Sequence, residues 1–303
     1  MSASHKYASK SSQRNLAKLL HGVGLYDKEQ GRFEAAHRNI SHAHALHKEL
    51  FGEEHDTTTS CLESLGSVLE KEGKYHEAVA MHKESLALRQ KISGADDIKT
   101  FESISNLGFD LINSGSGAEA EEILRSALKK YSKVLGEDHQ SVLRCRYNLT
   151  EALLEQGRCK DALDECEALV KDQTRVLGEE HPQTLDTFNN VGVSLMDVGR
   201  IDEADKVLRK TLKIQEKVLG NDLQVAPSFM TMLNSSTIIG PEHPSTLPTL
   251  NNLSCNLGHQ GKISEAVTMT ERSIDLQEKV PPSQEVTIIW RVSLTGYFAG
   301  QWP

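Results

Sequence analysis

The chain has 303 residues, 38% apolar, 25% charged and 5% aromatic, and its 34 basic residues against 43 acidic ones give a formal charge of −9. That balance excludes a disordered or fibrous chain and, with the signs interspersed and no basic tail, disfavours nucleic acid as a partner; no apolar run approaches the ~18 residues a membrane span needs. At roughly 100–200 residues per domain the length predicts two domains. Yet 7 Phe, 6 Tyr and 2 Trp are few anchors for two large cores, which points to many small, similar packing layers.

Residues 1–15 are polar, contain no apolar run of the signal-peptide kind, and read as a disordered N-terminal segment. From residue 16 a repeat takes over. The glycine that opens the phrase Gly-Lys/Arg-x-x-Glu/Asp-Ala stands at Gly31, Gly73, Gly115, Gly157 and Gly199, 42 residues apart, and Gly261 follows after 62. Five residues after each comes an alanine: Ala36, Ala78, Ala120, Ala162, Ala204 and Ala266. A second series, Gly52, Gly94, Gly136, Gly178 and Gly220, marks the other end of each unit; Gly240 lies 62 residues after Gly178, which locates one insertion of 20 residues. A third series sets an apolar residue before a small one at Val23-Gly24, Leu65-Gly66, Leu107-Gly108, Leu149-Thr150, Val191-Gly192 and Leu253-Ser254.

Within a unit the apolar spacing is helical: in the fifth, Leu185, Phe188, Val191 and Leu195 recur at three- and four-residue steps, and Ile201, Ala204, Val207, Leu208 and Leu212 do the same. Each unit therefore reads as two antiparallel helices, A and B, joined at the Gly31-type position, where glycine takes a left-handed conformation. The small residue of A and the alanine of B let the pair approach closely. Pro182 and Pro244 stand where the next helix A should begin, and Asp96-Asp97 offers a capping carboxylate at the same place. The prediction is an all-α, α-α superhelical solenoid of about six repeats over 16–280, with an insertion at 221–240 and a non-repeat tail at 281–303.

These residues resemble a known family. The phrase Leu177-Gly178-Glu179-Glu180-His181-Pro182, followed by Asn189-Asn190-Val191 and Gly199-Arg200-Ile201-Asp202-Glu203-Ala204, is similar to the 42-residue tetratricopeptide repeats of kinesin light chain. The resemblance implies a right-handed superhelix whose A helices line a groove for a peptide or protein partner. It also implies that a helix-A asparagine hydrogen-bonds the peptide backbone, at Asn106, Asn148, Asn190 and Asn252, with Asn189, Asn251 and Tyr147 beside them. A carboxamide supplies both donor and acceptor, which suits that task; the alternative is that these asparagines bond neighbouring helices. Units one and two carry Gly22 and Ser64 at this slot. The implied function is a non-catalytic interaction scaffold, the alternative a kinesin light chain-like cargo adaptor or regulatory subunit of a motor complex. Against the latter, the roughly 15 mostly polar residues before the first repeat hold no heptad coiled coil, which disfavours a motor subunit unless the chain is a piece of a longer one. Expected inward positions carry Glu63, Glu70, Glu102, Glu151, Glu155, Asp186 and Asp197 against Lys18, Lys71 and Arg144, so the expected partner is a neutral or basic peptide.

Other chemistry is sparse. His37, His44 and His47 fall on one side of the first helix B, a partial metal-ligand pattern; a polar helix face is the plainer reading. His55, His139, His181 and His243 recur just before helix A, which argues for a cap or linker rather than an active site. The five cysteines, Cys61, Cys145, Cys159, Cys166 and Cys255, form no Cys-x-x-Cys pair, so neither a disulfide framework nor a metal or other cofactor is expected, and a reducing, cytoplasmic compartment fits. No phosphate loop, dinucleotide fingerprint or nucleophile elbow occurs, so no catalysis is expected. The insertion holds Pro227 and the run Phe229-Met230-Thr231-Met232-Leu233, and reads as a loop, a partner-binding excursion or translated intron. The tail holds both tryptophans, Trp290 and Trp302, and reads either as a cover for unit six or as the product of a truncated gene.

Overall fold

The computed structural model describes residues 3–221 and 244–279. They form six helix pairs: α1 (Ala3–Glu29) and α2 (Phe33–Phe51); α3 (Asp56–Lys71) and α4 (Tyr75–Ile92); α5 (Ile98–Asn113) and α6 (Gly117–Leu135); α7 (Gln140–Glu155) and α8 (Cys159–Val176); α9 (Pro182–Asp197) and α10 (Ile201–Asn221); α11 (Leu247–His259) and α12 (Ile263–Lys279). Odd-numbered helices are the expected A helices and even-numbered ones the B helices. No strand occurs among the described residues. The chain falls into two compact units, Met1–Ala152 and Leu153–Pro303.

The glycine series does what its spacing requires. Gly199, between α9 and α10, has φ +81°, a left-handed value that a side chain would strain, and the equivalent glycines from Gly31 to Gly261 share it. The amide after it closes the turn, with Arg200 N donating to Leu195 O at 2.8 Å. The third series sets the approach of A to B. A Cβ at Gly192 would lie 2.5 Å from Leu208 Cδ2, and one at Gly108 would lie 2.8 Å from Leu124 Cδ2. On the B helices the alanines Ala36, Ala78, Ala120, Ala162 and Ala204 are fully buried.

Each B helix then packs on the A helix that follows. In the first unit Ala36, Ile40 and Ala43 of α2 meet Cys61, Leu65 and Val68 of α3, and a larger cluster joins Leu107 and Leu111 of α5 to Leu124 and Tyr131 of α6 and Val142 and Cys145 of α7. Tyr131 also stacks on Phe101, ring centroids 4.3 Å apart, and its hydroxyl donates to Ala95 O. In the second unit Leu163 and Cys166 of α8 meet Val191 and Leu195 of α9, and Leu208 and Leu212 of α10 meet Leu250, Leu253 and Leu257 of α11. Burying one such leucine contributes about 1.5–3 kcal/mol. Small side chains at fixed phase thus replace a few large anchors, layer by layer.

The helix starts follow their caps. His55 and His181 are N-caps whose Nδ1 accepts from Thr57 N at 3.3 Å and Gln183 N at 3.2 Å; Ser141 N donates to His139 Nδ1 in the same way. The carboxylate of Asp97 takes this place before α5, accepting from Lys99 N at 2.8 Å. The recurring histidine is therefore a cap, and Pro182 is the first residue of α9 as expected.

Three expectations change. α1 begins at Ala3, so helix runs through most of the 1–15 segment expected to be disordered. Pro244 opens a short 3-10 turn, Pro244–Thr246, and the sixth helix A starts at Leu247 with Pro248 in its first turn. α10 continues to Asn221, one residue past Gly220. The rest of the insertion, His243 and the tail with its tryptophans lie outside the described residues.

Candidate peptide-binding surface

In the first unit α1 lies against α3, and in the second α9 lies against α11, so A helices adjoin within each. On α5 the side chain of Asn106 is half-buried. Asn148 of α7 is buried, and its Nδ2 donates to Ser105 O of α5 at 2.9 Å. That bond ties one A helix to the preceding one, which is the alternative task weighed above. Tyr147 beside it is half-buried. In the second unit Asn189 and Asn190 of α9 are both buried, and Asn189 Oδ1 has no hydrogen-bond partner among the described residues. Asn251 of α11 is half-buried and accepts from Ser273 Oγ at 2.7 Å, while Asn252 next to it is half-buried. At the same slot in α3, Ser64 donates to Ser60 O and bonds His21 Nε2 at 2.8 Å.

The acidic positions divide. Glu63 is held by the buried guanidinium of Arg89, through Nε at 2.9 Å and Nη2 at 2.8 Å, and accepts a third bond from Ser103 Oγ. Arg89 also pairs with Asp56, whose carboxyl is lowered chiefly by its hydrogen bond from Lys99. This network fastens α4 to α3 and spends the charge of Glu63 on the fold. Burial, reinforced by Asp110, raises the Glu70 pKa. Glu102, Asp186 and Asp197 are exposed, with Asp197 accepting from Cys159 Sγ at 3.3 Å.

The histidines of the first helix B part ways: His37 and His42 are exposed, whereas His47 is buried against the Phe51 ring, with its Nδ1 3.2 Å from Thr57 Oγ1. Phe51 stacks in turn on the capping His55 at 4.5 Å. Burial lowers the pKa of His47 and of His21. Among the described residues no group of three or more His, Cys, Asp or Glu is placed to hold a metal ion. Of the cysteines, Cys61, Cys145 and Cys166 are buried; burial pushes the Cys61 and Cys145 thiols up to about 12.

Two features were not anticipated. One is the Arg89 network. The other is a fully buried pair in which His82 Nδ1 of α4 meets Asp110 Oδ2 of α5, while His82 Nε2 faces Glu63 O at 3.3 Å. Slot comparison carries the signal for it. His82 stands where other units have Ile40, Leu124 and Leu208, and Asp110 where they have Val68 and Ala152.

Helix pairs repeated at 42 residues and packed B onto A are the architecture of a protein-interaction scaffold. The tetratricopeptide repeat family model matches residues 14–91, 99–167 and 152–217, and a second model of that description matches 246–280; the chain belongs to the tetratricopeptide repeat family. No curated protein sequence matches it. Among solved structures it is similar to the kinesin light chain nearly identical TPR-like repeats of Podosopora anserina (TM-score 0.59, 22% identity, 68% of this chain and 97% of that one). It is also similar to aspartyl phosphate phosphatase F from Bacillus subtilis (0.64, 11%, 92% and 74%) and to a Rap protein complexed with competence and sporulation factor (0.57, 14%, 89% and 78%). These likenesses are of fold. Among the described residues no helix is long and apolar enough to cross a membrane.

Proposed function

We propose that the chain binds extended peptide or protein segments along its A helices, with the carboxamide of Asn106 in the first compact unit and that of Asn252 in the second each contacting the backbone of a segment held on its own unit. The observation that carries this reading is the half-buried state of these two asparagines at one repeat slot, one in each unit, where Asn148 and Asn190 are buried. A partly exposed carboxamide on a rigid helix offers a donor and an acceptor at little entropic cost. The Rap protein complexed with competence and sporulation factor supports the reading by analogy of fold. Asn148 then serves by fixing α7 to α5, and Asn189, Asn190, Asn251 and Tyr147 by shaping the surface. With Glu102, Asp186 and Asp197 exposed, a neutral or basic segment fits better than an acidic one.

The test is selection of peptides from a random display library on the 303-residue chain, followed by titration against the double variant Asn106→Ala/Asn252→Ala. Losing one hydrogen bond of about 0.5–1.5 kcal/mol in each unit weakens binding there roughly 2–13-fold. Undiminished affinity in the double variant, with the helical circular dichroism of the parent, overturns the assignment. The likeness to kinesin light chain repeats favours a second reading, an adaptor in a motor complex. A motor chain co-purifying with the protein would distinguish it.

A further inference from the structure

The first helix carries a stripe that the rest of the array buries. Leu16, Leu19, Val23 and Tyr26 recur at three- and four-residue steps on α1 and are 39 to 64% exposed. Their counterparts in α3 are Thr58, Cys61, Leu65 and Val68, and the last three pack on Ala36, Ile40 and Ala43 of the preceding helix pair. In all five later units every residue at these four slots is buried, none above 7% exposed. The stripe on α1 is thus the surface by which a repeat of this chain stacks on the repeat before it. It is also more apolar than most later copies, which use threonine, serine and cysteine freely. A solvated end of a repeat array is polar, and four large apolar groups on one helix face are not.

The complementary surface lies on α12. Its slots Val267, Thr270 and Ile274 correspond to Leu163, Cys166 and Val170 of α8, which pack on Val191 and Leu195 of the following helix A. Ile263 occupies the slot of Phe33, which packs on the α2–α3 cluster. On α12 the three large apolar residues Ile263, Val267 and Ile274 are 39 to 57% exposed. Charge separates the two surfaces as well. α1 exposes Lys10, Arg14 and Lys18, whereas α12 exposes Glu271, Asp275 and Glu278. Two copies of α1 facing each other would set like charges together; α1 facing α12 sets opposite ones.

We propose that the occupant of the α1 stripe is a second copy of this chain, presenting α12, so that copies stack head to tail and continue the repeat across the junction. The contact joins two different patches, so each copy keeps one patch open and association does not stop at a pair. The asparagine slots play no part in it.

Sedimentation velocity on the full chain at concentrations up to about 100 μM tests this with two end variants, Leu19→Glu and Ile274→Glu. Both replace exposed side chains, and unchanged circular dichroism and melting confirm their fold. The parent shows species growing beyond dimer with concentration. Each variant alone stays monomeric, its self-affinity reduced at least about tenfold because a charge is set into an apolar contact. Mixed together, the two variants form a discrete complex of one copy of each, since every variant retains one intact patch. A parent that stays monomeric throughout, an association abolished by only one of the variants, or a mixture that fails to pair overturns the proposal.

Discussion

The buried His82–Asp110 pair makes a prediction that runs against the usual result of core mutagenesis. Both side chains are fully buried, and Asp110 Oδ1 has no hydrogen-bond partner among the described residues, so His82 is the carboxylate's main compensation. His82→Leu places in α4 the residue that stands at the same slot in α6 and α10, over a glycine that already leaves room for it. By packing alone the change is nearly neutral. It strands Asp110, however, and breaking a buried pair costs about 3–5 kcal/mol. Adding Asp110→Ala, the residue of the fourth unit, removes the stranded charge. The double variant should return to within about 1 kcal/mol of the parent or exceed it by up to ~4. Burial acts to lower the His82 pKa but Asp110 outweighs it and the net direction is up; burial also raises Asp110 against the opposing effect of His82. A raised pKa means that the folded state holds the proton more tightly. The pair's contribution is therefore fully present below the ordinary histidine value of about 6.5 and is lost as pH rises through the elevated one. Urea denaturation followed by circular dichroism from pH 6 to 9 should show parent stability falling relative to that of the double variant across the window, the rise below about pH 7 from the buried His21 and His47 being common to both. A single variant as stable as the parent, or a double variant no better than the single, would refute the reasoning.

Three further outcomes follow from the same structure. Gly192→Ala destabilises by about 1–3 kcal/mol because its Cβ meets fully buried Leu208, whereas Gly22→Ala, with nothing within 4 Å of its Cβ, stabilises by up to ~1 kcal/mol; chemical denaturation of both should give opposite signs. His181→Ala removes the N-cap of α9 and costs about 1 kcal/mol, and His181→Asn restores most of it, as thermal melting will show. Cys61 and Cys145, with pKa values near 12, react with iodoacetamide at neutral pH only on unfolding; rapid labelling of either in the native protein would contradict the packing.

Periodicity made the helix pairs, their turns and their caps legible, since a feature repeated six times declares its purpose through recurrence. Gly192, Ala204 and His181 could be read in this way because each has counterparts. Features that occur once escaped. Arg89 and Glu63 neutralise each other through a bond between side chains 26 positions apart, so Glu63 looked like an open acid of the groove. His82 and Asp110 sit 28 positions apart in slots that hold no other ionisable pair, the neighbouring units carrying Ile40 and Leu124 at one and Val68 and Ala152 at the other, and only that departure marks them. Among the candidate asparagines one slot holds two environments. Asn148 is drawn into a bond with Ser105, while Asn106 and Asn252 keep partial exposure. Slot identity predicts the residue type; burial, which decides its task, depends on the helices around it.

The central claim is that partners are held along the A helices. It is tested most directly by placing a photo-crosslinking amino acid at Asn106 or at Asn252, with exposed B-helix positions Glu84 and Lys206 as controls, and irradiating with a selected peptide. The account predicts peptide adducts at the two asparagine positions and none at the controls. Adducts at Glu84 and Lys206, with none at positions 106 and 252, would contradict it.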